Sequence, residues 1–311
     1  MRFNIFLITI WGAFLSQNLL AQGINPLEKS NKFIVIGDWG RNGDDQQLAV
    51  ADQLLQQVKK HKPDFIISTG DNFYPNGVKS TMDPLWKYSF EDIYKSYHLQ
   101  IDWQVVLGNH DYLGDPDAQV AYSLVSRRWQ MPERHYTKTV PIKGSKDKVL
   151  FIYIDTNSLI PEFYSNSIYG PNVAKTDSTA QKMWMKELLT SHDEAVKWKI
   201  VVGHHPMYTG GRTEGYDTKA IRRSLETLFR ESGVDLYISG HDHSLQYLEK
   251  DGLRQIVSGS ASEVTASASL PYTQFTASEA GFMLFALSSD KIQFDIINKN
   301  GVTLYHGEID K

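Results

Sequence analysis

The chain contains no cysteine. That excludes a disulfide framework, a thiolate metal site, a cysteine nucleophile and a cysteine-anchored lipoprotein, so any metal must be held by oxygen and nitrogen. Long apolar runs are missing too. The N-terminal stretch Ile5 to Leu15 is eleven residues, well short of the ~20 that span a bilayer. Arg2 precedes it and Ala21-Gln22 offers a small-residue cleavage point, although Leu19 stands where a small residue is preferred. The pattern reads as a signal peptide over 1–21 and a polar lead-in over 22–31. Export is expected, to the medium or a periplasm, with no stable membrane span. Basic residues form no long run and the formal net charge is −4, so nothing in the charge suits a nucleic-acid partner. No internal repeat or low-complexity tract is present.

What is there suits a soluble enzyme. A chain of 311 residues with 41% hydrophobic content can bury one large core, and one domain over 32–311 is expected. From Lys32 strand-like and helix-like segments alternate, the mark of layered α/β architecture. Phe33-Ile34-Val35-Ile36 runs into Gly37-Asp38-Trp39-Gly40. Leu48, Ala51, Leu55 and Val58 then recur at helical spacing before Phe65-Ile66-Ile67-Ser68-Thr69 runs into Gly70-Asp71-Asn72-Phe73-Tyr74. This βαβ unit puts an aspartate at each strand end, and ligands in open α/β sheets bind outside the carboxyl ends of strands.

Three more strand ends carry matching chemistry: Gly108-Asn109-His110-Asp111, Gly203-His204-His205-Pro206 and Gly240-His241-Asp242-His243. Between them, residues 160–176 read as a long surface loop near the active face. A helix from about Ser178 is expected to show Ala180, Trp184 and Leu188 on one face, and another to align Ile221, Leu225 and Leu228. The C-terminal runs at 253–257, 282–287, 292–296 and 302–305 read as a meander in a second sheet.

Singly, each polar residue has an ordinary reading: Asp38 as a turn or cap, Asn109 as a turn former, His204 as a satisfied core histidine, Tyr74 as packing. Collected, they exceed what one ion needs. Two ions bridged by a carboxylate do need such a set, and a pair of ions can clamp the attacking and leaving oxygens of a phosphoryl transfer. Asp71 can bridge. A Tyr74 phenolate suits a trivalent ion better than zinc or magnesium. Asp111 and Asp242 are expected to accept from imidazole N–H groups, and Trp39 to wall the site.

In this order, the five motifs resemble the purple acid phosphatases of the calcineurin-like metallophosphoesterase superfamily, in particular the small tartrate-resistant type, over roughly residues 32 to 311. The resemblance implies a two-sheet β-sandwich flanked by helices, with a dinuclear site at strand C-terminal ends. It implies that Asp38, Tyr74 and His243 hold a ferric ion, and that Asp71 bridges to a second ion (ferrous iron, zinc or manganese) also bound by Asn109, His204 and His241. A metal-bound hydroxide would attack the phosphorus of a phosphomonoester, a small molecule or a phosphoprotein, with His110 steadying the phosphate or protonating the leaving alkoxide. One departure stands out. Mammalian-type members have another histidine in the loop after the Val-x-Gly-His motif, whereas residues 208–216 here have none, leaving His110 alone or Arg212 as a phosphate ligand. His205 is a further substrate-binding candidate. A monomer is expected. The competing readings are a phosphodiesterase or nucleotide hydrolase on the same scaffold and a non-catalytic metal-binding surface module.

Overall fold

The computed structural model describes residues 30–211 and 215–311. The expected signal peptide over 1–21, most of the lead-in, and Arg212 lie outside the described residues. Within them the strands are β1 (Asn31–Ile36), β2 (Phe65–Ser68), β3 (Asp102–Val105), β4 (Trp129–Gln130), β5 (Tyr136–Pro141), β6 (Lys148–Tyr153), β7 (Val196–Val202), β8 (Leu236–Ser239), β9 (Leu245–Lys250), β10 (Leu253–Ser258), β11 (Thr273–Ala277), β12 (Gly281–Leu287), β13 (Lys291–Asn298) and β14 (Thr303–Asp310). The α-helices are α1 (Gln47–His61), α2 (Pro116–Tyr122), α3 (Pro161–Tyr164), α4 (Gly170–Val173), α5 (Ser178–Thr190) and α6 (Tyr216–Glu231).

The strands form two mixed seven-stranded sheets, ordered β14-β13-β12-β1-β2-β3-β4 and β11-β9-β10-β8-β7-β6-β5. In the first, β1 to β4 run parallel. In the second, β6, β7, β8 and β10 do. Parallel strands covered on both faces need near-continuous apolar runs, and Phe33-Ile34-Val35-Ile36 and Ile200-Val201-Val202 supply them, fully buried. Aromatic rings join the sheets. Phe33 stacks on Phe65 and Phe285 in its own sheet, at 5.3 and 4.7 Å between centroids, and meets Phe151 of the other edge-on at 5.5 Å.

Three expectations are corrected. First, the helical faces turn slightly. Helix α1 buries Val50, Ala51, Leu54 and Val58 while Leu48 is 54% exposed. Helix α5 buries Gln181, Met185 and Leu189 while Ala180 is exposed. Gln181 is drawn inward because its amide bridges the backbone N–H and C=O of Asp155 at 2.8 and 3.0 Å, a satisfied buried polar group that apolar spacing does not signal. Second, residues 160–176 are more than surface loop: they contain α3 and α4, with Ile160, Phe163 and Val173 buried and Phe163 stacked on Tyr169 at 4.2 Å. Third, the β12-β13-β14 meander extends the first sheet, because β12 pairs antiparallel with β1, Phe33 opposite Phe285. Of the C-terminal strands, β10 and β11 belong to the second. Among the described residues no helix is long and apolar enough to cross a membrane.

Candidate metal centre

The parallel strands β1, β2, β3, β7 and β8 end on one side of the molecule, and each opens into one of the five polar motifs. Their turns are unusually tight. Asp38, Asp71 and His241 have φ of 59°, 48° and 71°, a region that non-glycine residues seldom occupy and that persists only when surrounding bonds enforce it. Here they do: the Asp38 N–H donates to Gly70 O at 3.0 Å, and the His241 N–H to Asp38 Oδ2 at 3.0 Å. Gly70, with φ of 97°, supplies the turn before Asp71. Gly108 is needed for space, since a Cβ there would collide with the Asp71 carboxylate.

Two groups of side chains result. In one, the Tyr74 hydroxyl lies 3.1 Å from Asp38 Oδ1, 3.0 Å from Asp71 Oδ2 and 3.1 Å from His243 Nε2. In the other, Asn109 Oδ1 lies 3.1 Å from His204 Nε2 and 3.0 Å from His241 Nδ1, and those two nitrogens are 3.3 Å apart. Asp71 belongs to both, because its Oδ1 is 3.6 Å from His204 Nε2. All seven sequence candidates for metal binding are thus brought together.

The hydrogen-bond inventory fits a cationic occupant. Tyr74 has one proton and three acceptors around it. His204 Nδ1 faces Thr69 O at 2.8 Å, so that nitrogen carries the proton and Nε2 turns a lone pair toward Asn109 Oδ1, itself an acceptor. His241 Nε2 faces Asp217 Oδ2 at 2.9 Å, so in the neutral ring His241 Nδ1 is a second lone pair aimed at the same oxygen, while against the lowering effect of burial the Asp217 carboxylate raises the pKa of this imidazole. Converging lone pairs repel unless a cation lies among them. The electrostatics agree. Burial and the neighbouring Asp71 charge hold the Asp38 carboxyl well above its usual range. Burial and the two aspartates push the Tyr74 phenol up. Burial also lowers His204 to about 4, keeping its imidazole neutral and able to ligate.

Around this centre is a cleft of about 250 Å³, lined in part by Asp71, Asn109, His110, His241 and His243. His110 is half-buried at its edge. Its N–H donates to Asp71 Oδ1 at 2.7 Å, its Nδ1 meets Pro75 O at 2.6 Å, and its ring lies 4.5 Å from that of Tyr74. His205 lies outside the lining, fully buried, with Nδ1 2.8 Å from Thr156 Oγ1. The acids beside the ligands behave differently from expectation. Asp111 accepts from the backbone N–H groups of Asn72, Phe73 and Gly108 and from the Gln119 amide. Asp242 accepts from the Thr209 hydroxyl. Neither meets an imidazole, because Asp111 is taken up by the turn after β2 and by α2, and Asp242 by the loop after β7. Trp39 does not wall the cleft; it is buried among Phe73, Phe90, Tyr94 and Trp103, with Nε1 bonded to Ser68 Oγ at 2.8 Å. Three residues beside the ligands went unmarked in the sequence: Arg41, Asp217 and Glu263. Each is a solitary charge outside the five motifs, with no spacing to flag it.

A family model for calcineurin-like phosphoesterases matches residues 31–245. The chain is 36% identical over 269 residues to purple acid phosphatase 17 of Arabidopsis thaliana, covering 83% of this chain and 77% of that protein. It is 31% identical over 306 residues to tartrate-resistant acid phosphatase type 5 of Homo sapiens, covering 92% of each. Among solved structures, the Plasmodium protein GAP50, the anchor in the inner membrane complex, matches with a TM-score of 0.78 at 26% identity, over 91% of this chain and 89% of that one. The purple acid phosphatase PPD1 from yellow lupin seeds shares the fold with a TM-score of 0.66 at 14% identity, over 90% of this chain and 54% of that one. The chain belongs to the calcineurin-like phosphoesterase family and, within it, to the purple acid phosphatases of the tartrate-resistant type.

Proposed function

We propose that the protein is an exported acid phosphatase that hydrolyses phosphomonoesters at a ferric and divalent metal pair. Asp38, Tyr74 and His243 would hold the ferric ion, Asn109, His204 and His241 the divalent one, and Asp71 both. The observation that carries this reading is the division of Asp71: Oδ2 against the phenol of one group, Oδ1 toward the imidazole of the other. Anionic oxygens dominate the first group, which suits a hard trivalent ion, while an amide and two imidazoles make up the rest of the second, which suits iron(II), zinc or manganese. Once bound, such a pair supplies Lewis acidity to phosphoryl oxygens and acidifies coordinated water, so activity is expected in the acid range.

The protein's own groups do the rest. The cleft has room for a phosphoryl group beside the candidate ligands. His110 donates from Nδ1 to Pro75 O, which fixes the ring and leaves Nε2 to hold the proton that the departing alkoxide takes. Arg212 remains a candidate phosphate ligand. His205 touches substrate only if the wall formed by His241 yields, since it is buried behind that ring, 4.5 Å between centroids.

The test is the visible spectrum of the mature protein, with metal analysis and a Tyr74→Phe variant beside it. A tyrosinate-to-iron band that vanishes in the variant is expected, along with faster turnover of 4-nitrophenyl phosphate than of the bis-ester. His110→Ala should lower kcat by about 10²–10⁴-fold. A colourless protein with two divalent ions would sink the ferric assignment, and preferred diester turnover would move the reading to a phosphodiesterase. Metal-loaded protein inert toward both esters would favour a non-catalytic role, such as the anchor role of Plasmodium GAP50.

A further inference from the structure

The two histidines of His241-x-His243 turn opposite ring nitrogens toward the centre. His241 offers Nδ1, 3.0 Å from Asn109 Oδ1, and His243 offers Nε2, 3.1 Å from the Tyr74 hydroxyl. As neutral ligands they must therefore be opposite tautomers, one protonated on Nε2 and the other on Nδ1. Nothing in a His-x-His spacing selects such a pair. The outward nitrogens do, because each faces a carboxylate that belongs to neither group of candidate ligands. Asp217 Oδ2 is hydrogen-bonded to His241 Nε2 at 2.9 Å, and Glu263 Oε2 approaches His243 Nδ1 to 3.4 Å, a looser contact short of a hydrogen bond.

These carboxylates are mounted differently. Asp217 is the second residue of α6, whose inner face is pinned by buried Ile221, Leu225 and Phe229, and its side chain is 19% exposed. It also accepts from the Thr218 N–H at 2.7 Å. Glu263 sits in the segment after β10 with its side chain 41% exposed, and it shares its Oε2 with Arg41 Nη2 at 2.5 Å. The Arg41 guanidinium in turn covers the Tyr74 ring, 3.9 Å from its centroid. Glu263 and Arg41 thus form one strut reaching both Tyr74 and His243.

We propose that Asp217 and Glu263 are positioning residues that fix the tautomer and aim of His241 and His243, so that each carboxylate sets the metal affinity of its own half of the centre. The inference rests on the two-metal reading above. Asp217 should have the larger effect, being closer to its imidazole, more buried and mounted on a helix. Partners of this kind typically change metal affinity by about 10–100-fold when removed.

The experiment is stepwise chelation of the mature, metal-loaded protein, with elemental analysis and visible spectra at each step, for wild type, Asp217→Ala, Asp217→Asn and Glu263→Gln. Asp217→Ala should lose the divalent ion at chelator concentrations about 10–100-fold lower than wild type while keeping its tyrosinate band. Asp217→Asn keeps an acceptor at nearly unchanged volume, so it should recover part of the loss and guards against a folding defect in the alanine variant. Glu263→Gln should leave the divalent ion in place, shift the tyrosinate band and release iron earlier by a smaller factor. Chelation curves and spectra that coincide with wild type in all three variants would overturn the inference. So would loss of both ions in parallel from either single variant. A colourless wild type would count against the ferric assignment alone, since the Asp217 comparison is still read from the divalent ion.

Discussion

The two sheets contribute different chemistry to the same centre. Every oxygen donor comes from the first: Asp38 after β1, Asp71 and Tyr74 after β2, Asn109 after β3. Every imidazole comes from the second: His204 after β7, His241 and His243 after β8. Neither group of donors lies within one sheet. The Tyr74 group takes His243 across the interface, and the Asn109 group takes His204 and His241. A metal pair would therefore staple the sheets at their polar end, while Phe33, Phe65 and Phe151 join them deeper in the core. The apolar contact is non-directional and tolerant, whereas the polar one demands fixed donor positions. The positive φ angles of Asp38, Asp71 and His241 serve that demand at the polar end.

This comparison can be broken most severely at the residue both groups share. Asp71→Ala should release both ions on desalting and reduce phosphatase turnover to background; retention of one ion by elemental analysis would mean that the halves are independent. The aromatic end comes next. Phe33→Ala removes a ring packed against three others and should cost about 3–5 kcal/mol in denaturant unfolding, with metal content per folded chain unchanged. A loss of metal there would mean that the polar end relies on the aromatic end for its geometry.

The smallest effect is a pH-dependent one. In metal-free protein, burial and the Asp71 charge raise the Asp38 pKa above its ordinary 3.8. A raised folded-state pKa means that stability is fully present below the unfolded value and lost as pH rises through the folded one. Asp38→Asn carries no such penalty. Stripped of metal, it should match stripped wild type near the ordinary carboxylate pKa and melt at higher temperature as pH approaches neutrality. Equal melting at both ends of that range would place the proton elsewhere in the Asp38, Asp71 and Tyr74 group.

The centre was legible in the sequence because its parts are local. A β-branched run followed by glycine and a polar residue specifies strand, turn and outward side chain within a few positions, and parallel strands bring such ends to one side of a sheet. Asp217 and Glu263 were not legible, since each meets its histidine only through the packing of α6 or the course of the chain after β10. The helical faces show the same limit in milder form. Periodicity identified α1, α5 and α6 as helices, yet which residues turned inward in α5 was settled by the buried Gln181 and its bonds to Asp155. Likewise, the apolar runs at 282–287 and 292–296 were recognisable as strands, but their sheet was decided by the register of β12 on β1. By itself, then, the sequence determined the strand ends and the donor atoms they carry, because those follow from short-range sterics and chemistry. Tertiary structure decided which sheet each strand joined, which face each helix buried and which ring nitrogen each histidine presents, because those depend on neighbours distant in the chain.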